Sequence, residues 1–269
     1  MTSYLDDLTE RDLGTLAAIV GTDPGDLATE LRRRPWQIHE LLARPDVFEK
    51  VLDRHAHPAD VVSPFLLFSV LIHKTADDLR EATYVDEWIG PGSRMPVFDV
   101  APLLEFVQDP GRTSYLAALL SSFALPESPP VPAGPFDLLG MALWLEEALP
   151  DDRTVLLRRL GDLSLFRTGV FPDHTGTNPL RPVDAVQLGR TVGKASDEML
   201  ALCDRSVMSY GLEAMESLGS DWYNAAALDS GSLPVVGDIA ARFRSARRVL
   251  NHLTDRYLYR LETGWTLAA

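Results

Sequence analysis

Apolar residues recur along this chain in steps of three and four, the period of a helix that packs on one face. In ERDLGTLAAIV (10–20), Leu13, Leu16, Ala17 and Val20 fall on one side. Thr22 and Asp23 ahead of Pro24 form a start signal, with proline at the first helical position. That helix is expected to run through LATELRRR and stop before Pro35, and Pro35 and Pro45 open two further short helices. Ser63–Pro64 opens a much longer one, FLLFSVLIHKTADDLREATYVDEW, expected to end at Gly90–Pro91. Its first half is apolar all round and predicts deep burial; its acidic second half predicts exposure. Segments 100–107 and 110–125 give two more helices, and RMPVF (94–98) is the one short strand candidate.

Five of the ten residues in PESPPVPAGP (126–135) are proline, which predicts an extended connector. Helical spacing resumes in FDLLGMALWLEEAL and RTVLLRRLGDLSLFRTGVF. A polar loop, PDHTGTNPLRP (172–182), follows; then come a long helical stretch over 183–218 with possible kinks at Gly193 or Gly211, and a short helix over 220–229. A last helix is expected from Pro234 to about Thr263. Its seam is Val236, Ile239, Phe243, Ala246, Leu250, Leu253, Tyr257 and Leu261. The fold class expected is all-α, a multi-helix assembly of about a dozen helices in orthogonal or bundle-like packing. Residues 1–125 and 136–269 form two helical halves about the connector, or one domain.

Composition refines this picture. The chain has 269 residues, 46% hydrophobic and 24% charged, a globular balance. The net charge of −14 argues against bulk nucleic-acid binding. It is uneven: residues 1–150 hold 24 acids and 11 bases, residues 151–269 hold 15 and 14. The C-terminal segment carries Arg242, Arg244, Arg247, Arg248, Arg256 and Arg260. These arginines are expected to meet the acidic half, within one chain or across a dimer, or else an anionic ligand. No apolar run approaches the ~20 residues of a membrane span, and the acidic N-terminus lacks a signal core. A cytoplasmic protein without membrane partners is expected. The predominance of arginine over lysine fits a GC-rich bacterial genome.

Candidate chemistry is sparse. Asp77, Asp78 and Glu81 of DDLRE lie on one helical side, where clustered carboxylates offer hard oxygen ligands to Mg²⁺. The string resembles the aspartate-rich motif of class I terpene synthases, also all-α. That resemblance would imply a Mg²⁺–diphosphate site, but the second metal motif of those enzymes has no match in the second half. The other reading is a solvated helix end. Among the histidines, Asp53 and His57 stand four apart with His55 nearby, yet no histidine has a Glu three residues before it. No nucleophile elbow surrounds any serine. Cys203 in EMLALCDRSVM reads as a buried, inert thiol, and GPGSR (90–94) as a turn without the phosphate-loop lysine.

The segment LGDLSLFRTGVFPDH (160–174) resembles a pattern in a family of uncharacterised all-helical bacterial proteins, carried here by Leu160, Gly161, Asp162, Leu165, Phe166, Gly169, Phe171 and Pro172. SPFLLFSVLIHK and YLAALLSSFA look like further parts of such proteins; the family has no activity to carry over. Asp162, close to an apolar run, is expected to be partly buried and to need a donor. Asp162, Arg167, Asp173, His174 and Arg181 are the candidate ligand-binding set, around a loop that otherwise reads as a solvated connector. Two functions follow as expectations. The first is a protein acting through protein–protein contacts, as a homodimer or with another partner, with no cofactor. The second is a small-molecule binder or a metal-dependent enzyme.

Overall fold

The computed structural model describes residues 4–52, 62–124, 134, 136–203, 210–230 and 234–259. These form sixteen α-helices and one two-stranded sheet, an all-α multi-helix fold as the spacing predicts. Among the described residues no helix is long and apolar enough to cross a membrane. The proline-rich connector lies outside them except for Gly134, as do Asp53, His55, His57 and the end of the last helix.

The chain forms two compact units that do not follow a single cut in sequence. The first combines residues 1–83, 104–125 and 255–269; the second combines 84–103 and 126–254. One of the crossings, at Leu125/Pro126, opens the expected connector.

The first unit begins with α1 (Tyr4–Asp7), α2 (Glu10–Val20), α3 (Pro24–Arg33), α4 (Gln37–Leu42) and α5 (Pro45–Val51). Of these, α4 and α5 pack on α6 (Pro64–Glu81), as does α8 (Pro110–Ala124), which follows α7 (Ala101–Val107). Asp12 organises the start of this unit. Its Oδ2 accepts from the backbone N–H and hydroxyl of Thr9, both at 2.8 Å, closing a capping box. Its Oδ1 accepts from Ser63 N at 2.8 Å, so one carboxylate caps α2 and holds the entry to α6. The Ser63 hydroxyl then accepts from Leu66 N at 3.2 Å. The first half of α6 is buried all round, as expected.

α6 stops at Glu81, nine residues short of the expected end. Ala82 is extended, and Val85–Gly90 is strand β1, paired antiparallel with β2 (Ser93–Val97) in the second unit. The register runs from Val85 opposite Val97 to Trp88 opposite Arg94, with a bulge before Gly90. The charges of VDEW resemble a helix end, but the β-branched and aromatic residues from Thr83 to Ile89 favour a pleated surface. Gly92, at φ +65°, makes the reversal, so GPGSR is a hairpin turn and not an interhelical one.

The second unit continues through α9 (Leu138–Glu147), α10 (Pro150–Val170) and α11 (Pro172–Thr177). Next come α12 (Pro182–Arg190), α13 (Ser196–Cys203), α14 (Tyr210–Ser230), α15 (Pro234–Ala241) and α16 (Phe243–Leu253). α10 packs chiefly along α14 and α16. Gly161 faces the Tyr223 ring and Gly219 faces Phe243; a Cβ at either position would overlap the aromatic ring, so both glycines set the helix spacing. Three expectations are corrected here. The polar loop holds a helix, α11, because Pro172 restarts the chain at an N-terminal position. The stretch over 183–218 is interrupted at Gly193, φ +74°, one of the two kink positions expected, whereas Gly211 and 220–229 belong to a single helix, α14. The last helix divides at Arg242 and passes into a π-helical turn, Thr254–Leu258. The six seam residues from Val236 to Leu253 are nonetheless all buried.

Candidate functional site

Glu87 lies in the middle of β1 and is buried, an arrangement that a carboxylate tolerates only with opposite charge and hydrogen bonds around it. α16 supplies both. Arg244, Arg247 and Arg248 stand at i, i+3 and i+4, one helical face. Arg247 Nη2 donates to Glu87 Oε1 at 2.8 Å, and Arg244 Nη2 to the same oxygen at 3.1 Å. Arg248 Nε lies 3.0 Å from Oε2 as an ion pair, off the hydrogen-bond direction, and its Nη2 donates to Asp99 O at 3.4 Å. Burial alone would raise the Glu87 carboxyl pKa. The charges of Arg247 and Arg248, with the Arg247 and Arg244 hydrogen bonds, outweigh it and hold the carboxyl below its usual range.

Arg247 is held on every side. Its Nε donates to Glu216 Oε2 on α14 at 3.0 Å and its Nη1 to Asn251 Oδ1 at 2.9 Å. Asn251 in turn donates to the carbonyls of Thr168 and Gly169 at 3.0 and 2.7 Å, tying the network to the end of α10. Arg244 differs: its side chain is 69% exposed, against 3% for Arg247. Interaction with Glu87, and then with Glu216 and Glu213, raises its pKa and keeps it cationic.

A cavity of about 460 Å³ opens beside this network, a size that suits a small ligand. One wall is α14, where Glu213, Glu216, Ser217 and Ser220 recur at helical spacing. Arg244 and Arg247 stand on another, and Trp88, Leu212 and Phe243 give apolar surface. Ala240 and Ala241, at the junction of α15 and α16, leave the volume open. The Arg spacing was legible in the sequence. Glu87 was not, because its segment read as helix and its partners lie about 160 residues away.

The candidate ligand residues are placed elsewhere; none lines this cavity. Asp162 is buried, as expected, and accepts from Tyr223 Oη at 2.8 Å. Arg167 donates to Phe136 O at 2.8 Å, and burial lowers its pKa. Asp173 accepts from Trp88 Nε1 at 2.6 Å and Gly92 N at 2.9 Å, pinning the hairpin to α11; these bonds and Arg94 outweigh desolvation and lower its pKa. His174 contacts Asn178 on its own turn, and Arg181 makes a two-pronged bond to Asp184 at 2.6 and 2.8 Å. Cys203 is half-buried, and burial raises its thiol pKa.

The carboxylates of DDLRE do not converge on one point. Asp77 pairs with Arg80, and Glu81 ends α6 in solvent. Asp78 accepts from Lys74 Nζ at 2.8 Å and from Tyr257 Oη, with Arg256 Nε 3.0 Å away. Burial would raise the Asp78 carboxyl, but these partners lower it. Among the described residues no group of three His, Cys, Asp or Glu side chains gathers as a metal site. Arg244, Arg247, Arg248 and Arg256 therefore meet acids of the first 150 residues within one chain, as the charge asymmetry anticipates.

A histidine pair completes the titratable clusters. His73 Nδ1 lies 2.8 Å from Ser69 O, which fixes its proton there. His73 Nε2 is then an acceptor, and His39 Nδ1 donates to it at 3.2 Å. Tyr4 packs its ring edge-on against His39. Burial lowers the His73 pKa to about 4 and pushes Tyr4 up to about 12.

No protein-family model, curated protein or solved structure matches the chain.

Proposed function

We propose that this protein binds a small polar molecule in the cavity between α14 and α16 of its second unit, in a cytoplasmic setting. The observation that carries this reading is the fixed charge beside open volume. Glu87 and Arg247 are buried and multiply bonded, and they border a cavity of about 460 Å³. A polar wall held in place in advance pays little reorganisation on binding. The site takes a ligand; no reaction is assigned to it. A Mg²⁺ ion on Asp77, Asp78 and Glu81 would require Asp78 to release its Lys74, Tyr257 and Arg256 partners, which favours the cavity over the acidic helix.

The test is ligand-detected NMR with a library of small polar compounds against the full chain and against Ser217→Trp, which fills the cavity. Binding by the native chain that the filled variant loses supports the reading. Unchanged binding by a well-folded Ser217→Trp chain excludes the cavity.

A second reading, protein–protein contact including a homodimer, rests on a different observation. Leu143, Trp144, Leu149 and Val155 are all exposed around the turn from α9 to α10. Sedimentation at micromolar concentration tests it. Self-association that Trp144→Ser together with Leu149→Ser abolishes supports it, and a monomer in both chains excludes the dimer.

A further inference from the structure

We propose that the ligand of this cavity is an uncharged polyhydroxyl compound, a neutral monosaccharide, held through neighbouring hydroxyls on Arg244 and a further hydroxyl on Glu216 Oε1. This rests on the binding reading above and deepens it.

The existing ion pairs decide the charge of the ligand. Glu87 is shared between Arg244 and Arg247 in the lining and Arg248 outside it. Arg247 has its Nε, Nη1 and Nη2 committed to Glu216, Asn251 and Glu87. Glu213 is engaged as well, and its charge acts on Arg244. Every acid and base of the lining therefore already has a partner, and a charged ligand gains a counter-ion only by breaking one of these pairs. A hydroxyl makes no such demand. It needs a spare N–H or a spare lone pair.

Both kinds of spare group stand on the cavity wall. Arg244 gives one N–H to Glu87 through Nη2, and its other N–H groups meet no acceptor among the described residues. Whichever Nη2 hydrogen Glu87 takes, one edge of the guanidinium keeps a parallel pair of donors, and hydroxyl oxygens on adjacent ring carbons span such an edge. Glu216 accepts from Arg247 at Oε2, so its Oε1 can take a hydroxyl with the ion pair left intact. Next to it, the Ser217 hydroxyl bonds to no described residue. Ser220 donates to Ala240 O at 3.0 Å and keeps its lone pairs. Spare donors and spare acceptors around one space suit ring hydroxyls, each of which is both. Trp88, Leu212 and Phe243 give the C–H face of the ring an apolar surface, and about 460 Å³ takes a monosaccharide with room for bridging water.

The experiment screens neutral monosaccharides against the full chain by saturation-transfer NMR. It then compares the best binder with its uronic acid and its amino sugar (for glucose, glucuronate and glucosamine) at about pH 6.5, where the first is anionic and the second cationic. The neutral sugar is expected to bind about fivefold or more tightly than either. Arg244→Met, which keeps the stem and removes the fork, is expected to weaken it about tenfold. Arg244→Lys keeps the charge without the fork, and the same loss is expected. The Arg244 side chain is largely exposed, and melting curves check that both variants fold. A charged counterpart that binds as tightly as the neutral sugar overturns the proposal, as does full binding by Arg244→Lys or the absence of any sugar binding. If the compound library still binds and Ser217→Trp still blocks it, only the ligand class has failed. If Ser217→Trp blocks nothing, the cavity reading has failed with it.

Discussion

Glu87 Oε1 and Arg247 Nη2 stand 2.8 Å apart, both side chains buried, one on a hairpin strand and the other on the last α-helix of the same unit. Such a pair contributes modestly compared with an apolar equivalent, but removing one partner strands the other. Glu87→Gln leaves three arginines facing a neutral amide. It is expected to lower stability by about 3 kcal/mol, measured as a shift of the urea midpoint. Arg244→Gln, at the exposed end of the cluster, is expected to cost under about 1 kcal/mol. Equal losses for the two would contradict the burial-based account.

The histidine pair makes stability depend on pH. His73 has a folded pKa of about 4 against an ordinary 6.5, so the unfolded chain binds this proton more readily. The contribution is fully present above about pH 6.5 and falls as pH drops toward 4, by roughly 3 kcal/mol in all. Denaturation midpoints at pH 7, 5.5 and 4 should show this slope, and it should flatten in His73→Gln. A variant with the native slope would assign the dependence to other groups.

Gly161→Ala places a Cβ within the Tyr223 ring and is expected to destabilise by about 1–3 kcal/mol. Gly14→Ala in α2 meets nothing within 4 Å and is expected to stabilise by up to about 1 kcal/mol. Thermal unfolding of the two single variants decides whether helix contact or propensity sets the cost.

Asp173→Ala removes the acceptor shared by Trp88 Nε1 and Gly92 N. Hydrogen exchange at the Gly92 amide is expected to accelerate by about tenfold, the loss of one charge-assisted bond, with α14 amides unchanged. Faster exchange throughout the second unit would mean that the bond supports more than the hairpin.

Much of the helical architecture was legible because its signals are local. The seam from Val236 to Leu253 lies buried as spaced, Pro24 and Pro64 start helices as their positions require, and Asp162 found the donor its burial demanded. What escaped was decided by distant partners. VDEW reads as an acidic helix end until Val97 and Arg94 pair with it. Asp173 and Arg181 read as ligand groups because nothing in the sequence announces that Gly92 and Trp88 occupy the one and Asp184 the other. Arg244 and Arg247 were visible as a basic helix face, but Glu87 could join them only through the fold.

The 160-residue separation between Glu87 and Arg247 has a consequence for synthesis. A ribosome adding roughly 5–20 residues per second needs about ten to thirty seconds to pass from one to the other. During that interval the hairpin carries a carboxylate whose counter-charge has yet to be made. Asp78 waits longer still for Tyr257, 179 residues downstream. Neither unit can complete its polar network until the last stretch of chain has emerged, so premature termination anywhere before Arg244 leaves an acidic, unneutralised fragment, the kind of species that chaperones hold and proteases clear.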